Sequence, residues 1–308
     1  MAGSSVAVEL DDLTKTFGDV LAVDHLSFRA DPGRVTGFLG PNGAGKTTTL
    51  RALVGLVAPS GGAAHVGGRR YADLAHPAAT VGAALDAGGF HPGRTARNHL
   101  RVVTLQSGLT GRSGRERVDT VLAQVGLTDS ADRRVGGFST GMRQRLGLAT
   151  ALVADPDVLL LDEPANGLDP EGIAWLRGFL RFLADRGRTV LVSSHALSEV
   201  AQIADDVVII DRGRLVRAAD LDTLMAEHTN QVLVRTSAPD DLQVALAAQG
   251  HHAVRADDAL VVSDATAVEV GDVAARAGLA VHWLVEEQPD LEDVFLRLIH
   301  QSRDGEPS

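Results

Sequence analysis

The sequence predicts an α/β protein built on a buried parallel sheet, with an antiparallel β layer ahead of it, a helical insertion within it and a small α+β domain after it. Three observations lead there. The stretch 39-LGPNGAGKTTTL-50 sets a glycine-rich loop between a short apolar run and a helix-compatible one. Two uninterrupted apolar runs, 157-DVLLLDEP-164 and 189-TVLVSSH-195, end in polar residues, the pattern of strands buried on both faces. Beyond about residue 228 a strand–helix–strand pattern starts again.

Taken in order, 5-SVAVEL-10 and 22-AVDHLSFRA-30 alternate like half-buried antiparallel strands. Next, 35-VTGFL-39 reads as a buried strand and 47-TTTLRALVGL-56 as a helix, ended by Pro59 and 60-SGG-62. Residues from about 96 to 152 read mainly as helices, broken near 107-SGLTGRSG-114 and 126-GLTDS-130, within a helical subdomain of about 88–152. The two carboxylate- and histidine-ended strands follow, then 207-VVIIDRGRLVRA-218 as a hairpin turning at Arg212-Gly213. After that come strands at 231–236, 252–256, 259–263 and 279–285, with helices at 240–250, 266–278 and 290–299. This is a split βαβ unit repeated twice, a ferredoxin-like arrangement. The expected organisation is therefore 1–227, 228–300 and a disordered tail, 301-QSRDGEPS-308.

Composition removes several functional classes. There is no cysteine, which excludes disulfides, thiolate catalysis and cysteine-based zinc sites. Apolar runs such as 158-VLLL-161 and 207-VVII-210 fall far short of the roughly 18 residues of a membrane span. The start, MAGSSVAVELDD, lacks the basic and apolar regions of a signal peptide. Net charge is −11, and the densest basic cluster, 112-RSGRER-117, reads as a solvated helix start or loop, so nucleic acid is not an expected partner. An anionic ligand would have to be held by local dipoles and a metal ion against that global field. Abundant Arg, Ala and Gly beside scarce lysine suggest a GC-rich bacterial genome.

The scarcity of lysine points to the chemistry. Of 29 basic residues only Lys15 and Lys46 are lysines. A slender ammonium can be enclosed beside a phosphate where a planar guanidinium needs bidentate space. Around Lys46 the loop fits G-x-x-x-x-G-K-[ST] at Gly40, Gly45, Lys46 and Thr47. Its bare backbone, from Gly40, Pro41, Asn42, Gly43, Ala44 and Gly45 into Thr47 and Thr48, can wrap nucleotide phosphates with N–H groups and the positive end of the next helix. Lys46 then reaches the β- and γ-phosphates and the Thr47 hydroxyl ligates Mg²⁺. Asp162 is placed to hold the same Mg²⁺, and Glu163 beside it to activate water.

With these motifs in order, the chain resembles the ATP-binding subunit of an ABC transporter. The family's L-S-G-G-Q signature corresponds to 138-FSTGMRQRLGLA-149, which agrees at Ser139 and Gly141 and departs at Phe138, Thr140 and Met142. Then come Asp162-Glu163, a D-loop-like 166-NGLDP-170 containing Asp169, and His195 in the place of the switch histidine. The resemblance covers about residues 5 to 220 and implies the P-loop NTPase fold of an ABC ATPase. It also implies ATP and Mg²⁺ as ligands, with Glu163 as general base and His195 contacting the γ-phosphate. Phe17 in 13-LTKTFG-18 would stack on adenine, and Ser139, Thr140, Gly141 and Met142 would meet ATP held by a partner subunit. Where the family has a glutamine touching Mg²⁺ and water, 81-VGAALDAGGFHPGRTARNHL-100 places Asp86. His91 and His99 read as surface residues, and Phe90 with its neighbours as a partner surface.

The implied partners are a second ATPase subunit, normally an identical copy, and an integral membrane permease at the cytoplasmic face of the cell membrane. The added C-terminal domain resembles that of exporter ATPases for drugs, antibiotic peptides or lipid-like cargo. A soluble ABC ATPase acting on ribosomes, nucleic acid or another assembly remains the alternative at this point.

Overall fold

The structure, a computed structural model, describes residues 6–85, 89–227, 231–256, 258–263, 265–287 and 291–304. Asp86 lies outside them. The chain divides into two compact units, residues 1–221 and 222–308. The division falls within the helix Leu221–Ala226, after its first residue; the sequence reading sets the boundary at 227.

The strands of the first unit are β1 (Val8–Phe17), β2 (Val20–Ala30), β3 (Val35–Leu39), β4 (Gly61–Val66), β5 (Val81–Ala84), β6 (Val158–Asp162), β7 (Thr189–Ser194), β8 (Asp206–Asp211) and β9 (Arg214–Asp220). They form an antiparallel layer, β2–β1–β4, and a six-stranded sheet, β5–β6–β7–β3–β8–β9. The large sheet is parallel except for β9, which returns from β8 through Arg212-Gly213, both at positive φ as a tight hairpin turn requires.

Alternation along the central strands explains why their sequences are continuously apolar. Val158 and Leu160 of β6 join a core with Leu13, Leu26, Phe28 and Phe38 beneath the antiparallel layer. Leu159 and Leu161 face the opposite way, into a core with Leu146, Leu152, Leu176 and Leu180 from the helices. Side chains two apart share a face, so a strand covered on both sides needs apolar residues at every position.

The helices Ala96–Gln106, Gly111–Gln124 and Thr140–Leu152 occupy the predicted helical stretch. Several elements go beyond the sequence reading, among them the short helices Pro77–Thr80, Leu197–Val200 and Leu221–Ala226. β4 and β5 are built largely of Gly and Ala, which carry little hydrophobic pattern. The helix Pro170–Ala184 starts at Asp169-Pro170, inside the stretch taken as a loop motif, with Asp169 as N-cap and proline in the first turn. β1 also continues to Phe17, because a register shift between Leu10 and Leu13, with Asp12 at φ +51°, breaks its alternation midway.

The second unit contains β10 (Gln231–Thr236), β11 (His252–Ala256), β12 (Ala259–Ser263) and β13 (Val281–Glu287), antiparallel in the order β11–β12–β10–β13. The helices Pro239–Ala248 and Ala267–Arg276 alternate with them to give the ferredoxin-like order, around a core of Val232, Val234, Leu242, Leu246, Leu260 and Val262. A last helix runs Leu291–Asp304. This corrects the expected tail: 301–304 continue an amphipathic helix in which Val294, Phe295 and Ile299 are buried. Residues 305–308 lie outside the described residues.

Candidate active site

In an open α/β sheet the carboxyl ends of adjacent parallel strands form the binding edge. Here β6, β7 and β3 are neighbours, so the glycine loop after β3, the carboxylates ending β6 and the histidine after β7 arrive side by side. The loop leads into the helix Lys46–Leu53, whose N-cap is Gly45 at φ +105°. A Cβ there would stand 2.5 Å from the Ala22 carbonyl oxygen, so both conformation and space demand glycine. Ala22, Asn42, Gly43, Ala44, Gly45, Lys46, Thr47, Thr48 and Glu163 line a cleft of about 260 Å³.

Lys46 is buried, its Nζ donating to the carbonyl oxygens of Gly40 at 2.6 Å and Pro41 at 3.3 Å. Burial pushes its ammonium below lysine's ordinary range, and the charges of Glu163 and Asp162 pull part of the way back. Glu163 Oε1 is 3.7 Å from Lys46 Nζ, and its Oε2 is 2.8 Å from Nδ1 of His195. The Thr47 hydroxyl donates to Asp162 Oδ2 at 2.7 Å, and the Ser193 hydroxyl bonds Asp162 Oδ1. Glu163 has φ +50°, uncommon for a residue with a side chain and costing about 1–3 kcal/mol. That turn sends consecutive carboxylates in different directions, Asp162 towards Thr47 and Glu163 towards Lys46 and His195.

The donor set fits magnesium. A hydroxyl and a carboxylate oxygen in contact are hard ligands, and Mg²⁺ is characteristically held by one or two carboxylates plus substrate phosphates and water. Among the described residues no group of three or more His, Cys, Asp or Glu forms a self-sufficient metal cage.

The remaining expected residues gather elsewhere. Phe17 is exposed, with the ammonium of Lys15 4.7 Å from its ring centroid and held by the Ala58 carbonyl at 2.9 Å. Ser139 caps the helix Thr140–Leu152, accepting from the Met142 N–H at 3.2 Å, and none of Ser139, Thr140, Gly141 or Met142 lines the cleft. Asp169 accepts from the Gly172 N–H at 2.8 Å. The signature and D-loop-like segments pack together: Gln144 Nε2 donates to the Asn166 carbonyl at 3.2 Å, and a Cβ on Gly167 would lie 2.6 Å from Thr140 Cγ2. Phe90 is half-buried; its ring meets His99 edge-on at 4.9 Å and packs on the core. His99 is likewise half-buried, 3.1 Å from the Thr150 hydroxyl, whereas His91 is exposed.

Ser193 is the residue that motif reading passed over. Its signal was a polar residue inside a buried strand, two before His195.

Comparison with known proteins agrees with this geometry. A family model described as ABC transporter matches residues 23–166, and one described as a domain of unknown function matches 230–292. The bacitracin transport ATP-binding protein BcrA of Bacillus licheniformis is 34% identical over 304 residues, 96% of this chain and 98% of that protein. The Nod factor export ATP-binding protein I of Paraburkholderia xenovorans is 37% identical over 299 residues, 95% of this chain and 96% of that one. A solved ATP-binding subunit of an ABC transporter superimposes with TM-score 0.65 at 27% identity, covering 71% of this chain and 92% of its own. The chain belongs to the ABC transporter family, as an ATP-binding and ATP-hydrolysing subunit.

Proposed function

We propose that this chain is the motor subunit of an exporter. ATP and Mg²⁺ close two copies head to tail, hydrolysis reopens them, and the movement drives a separate membrane permease from the cytoplasmic face of the cell membrane. The observation that carries the reading is Glu163 held between Lys46 and His195, beside the Asp162–Thr47 pair, at the mouth of a phosphate-wrapping loop.

In that arrangement the loop backbone and Lys46 bind and orient the β- and γ-phosphates, and Phe17 supports the adenine. Thr47 and Asp162 would hold Mg²⁺, which when bound neutralises charge on those phosphates. Glu163 takes a proton from the attacking water, oriented with the help of His195, as its oxygen bonds to the γ-phosphorus. The bond to the β–γ bridging oxygen breaks and ADP leaves. Ser139 and its neighbouring N–H groups serve the ATP held by the other copy. Asp169 serves the contact between copies, and Asp86 takes the place of the family's glutamine. The domain 228–300 acts as an accessory to the ATPase. The names of the bacitracin and Nod factor relatives support a drug, peptide or lipid-like cargo over a soluble role on ribosomes. Among the described residues no helix is long and apolar enough to cross a membrane, in keeping with a separate permease.

The test is Glu163→Gln, which keeps size and removes the base. Phosphate release should fall by about 10²–10⁴-fold while ATP still binds, with a dimer accumulating on size exclusion. Wild-type turnover would remove Glu163 from the mechanism. The tagged variant with MgATP, captured from detergent-solubilised host membranes, should bring a multi-span protein without an ATPase cassette of its own. Recovery of ribosomes or a soluble assembly alone would overturn the exporter reading and leave the ATPase chemistry standing.

A further inference from the structure

Ser193 is fully buried on β7 and paired in register with Asp162 on β6. Its hydroxyl does two things at once. It donates to Asp162 Oδ1, and it accepts the Glu163 N–H at 3.1 Å, which is shared with the Ser193 carbonyl at 3.1 Å. The other Asp162 oxygen is engaged by Thr47 at 2.7 Å, so each oxygen of that carboxylate faces its own hydroxyl and the carboxylate plane is fixed. The N–H that Ser193 holds belongs to the residue at φ +50°, a conformation that persists only where its surroundings over-determine it. One hydroxyl therefore governs both the orientation of the proposed metal ligand and the backbone turn that aims the proposed base at His195 and Lys46.

We infer that Ser193 is a positioning residue for ATP hydrolysis, acting through Asp162 on the metal and through the Glu163 backbone on the attacking water. This rests on the roles proposed above for Asp162 and Glu163. Groups that orient metal ligands typically alter metal affinity or activity by about 10–100-fold when removed. Nucleotide contact in the phosphate loop does not involve Ser193, so metal-independent nucleotide binding should be insensitive to it.

The experiment compares the full chain with Ser193→Ala and Ser193→Thr, the second keeping the hydroxyl. Three quantities are read: kcat and KM for ATP, the affinity of Mn²⁺ for the ADP-bound protein followed by electron paramagnetic resonance, and ADP affinity in EDTA. Ser193→Ala should lower kcat at least 10-fold with KM changed less than 3-fold, and weaken Mn²⁺ about 10-fold. ADP affinity in EDTA should be unchanged, and Ser193→Thr should recover most of the loss. Wild-type kcat and Mn²⁺ affinity in Ser193→Ala would overturn the inference. So would a loss of ADP affinity in EDTA with a lowered melting temperature, since that describes a residue needed only for packing. Glu163→Gln measured alongside separates the two readings. If it turns over ATP like wild type, the assignment of the base fails. If it is inactive while Ser193→Ala is normal, only the role of Ser193 fails.

Discussion

At His99 a side chain expected on the surface is half-buried, and that burial should couple folding to pH. Burial first, and the charge of Arg94 second, hold its imidazole below its ordinary range, in which an unperturbed histidine titrates near 6.5. The folded protein thus binds this proton more weakly than the unfolded chain. Stability should fall as pH drops from about 6.5 through the depressed folded value, and this contribution should be flat above it. Urea unfolding at stepped pH checks this: His99→Gln should remove that part of the acid slope, and an unchanged slope would assign it to other groups. Legibility at this scale followed a simple division. The gathering of Lys46, Thr47, Asp162, Glu163 and His195 at one sheet edge was legible because chemistry fixes the spacing of such motifs and they stand at the ends of apolar strands. Ser193 and the Phe90–His99 contact were not, because each depends on a partner across a register or a helix pair that no local pattern encodes.

The elements that carry the site differ in how firmly their starts are fixed. Ser139 and Asp169 each cap a helix with a side-chain oxygen, and between these caps Gly167 packs on Thr140. Gly167 sits at φ +75°, where any Cβ is strained, and it would also press on Thr140 Cγ2. Gly167→Ala should cost roughly 1–3 kcal/mol in chemical denaturation, from conformation and contact together. Adding Thr140→Ser removes the methyl and should restore only the contact part, so the pair should be non-additive; strict additivity would place the whole cost in the backbone. The parallel strands were legible because burial on both faces leaves unbroken apolar runs. The later half of β1 was hidden by its register shift at Asp12, and β4 and β5 by side chains too small to show a period.

Among the described residues the cores of the first unit enclose the large sheet, and a core of the second is centred on Val234, Leu246 and Val262. Leu246→Ala, fully buried in the second, should destabilise that unit by about 2–5 kcal/mol in a thermal scan while leaving ATP affinity unchanged. A parallel loss of affinity would mean that the second unit supports the phosphate loop. The restart of alternation after 228 made this second unit legible, while the division from the first falls within the short helix Leu221–Ala226, which carries no such restart. A distinct consequence follows from where the two lysines stand, Lys15 beneath Phe17 and Lys46 inside the phosphate loop. Apart from the α-amine, these two are the chain's only primary amines, and of them Lys46 lines the cleft while Lys15 is held at the Ala58 carbonyl. Acylating reagents therefore have few amines to react with on it, and if nucleotide fills the cleft as proposed above, protection of Lys46 measured against Lys15 would report occupancy without an engineered probe.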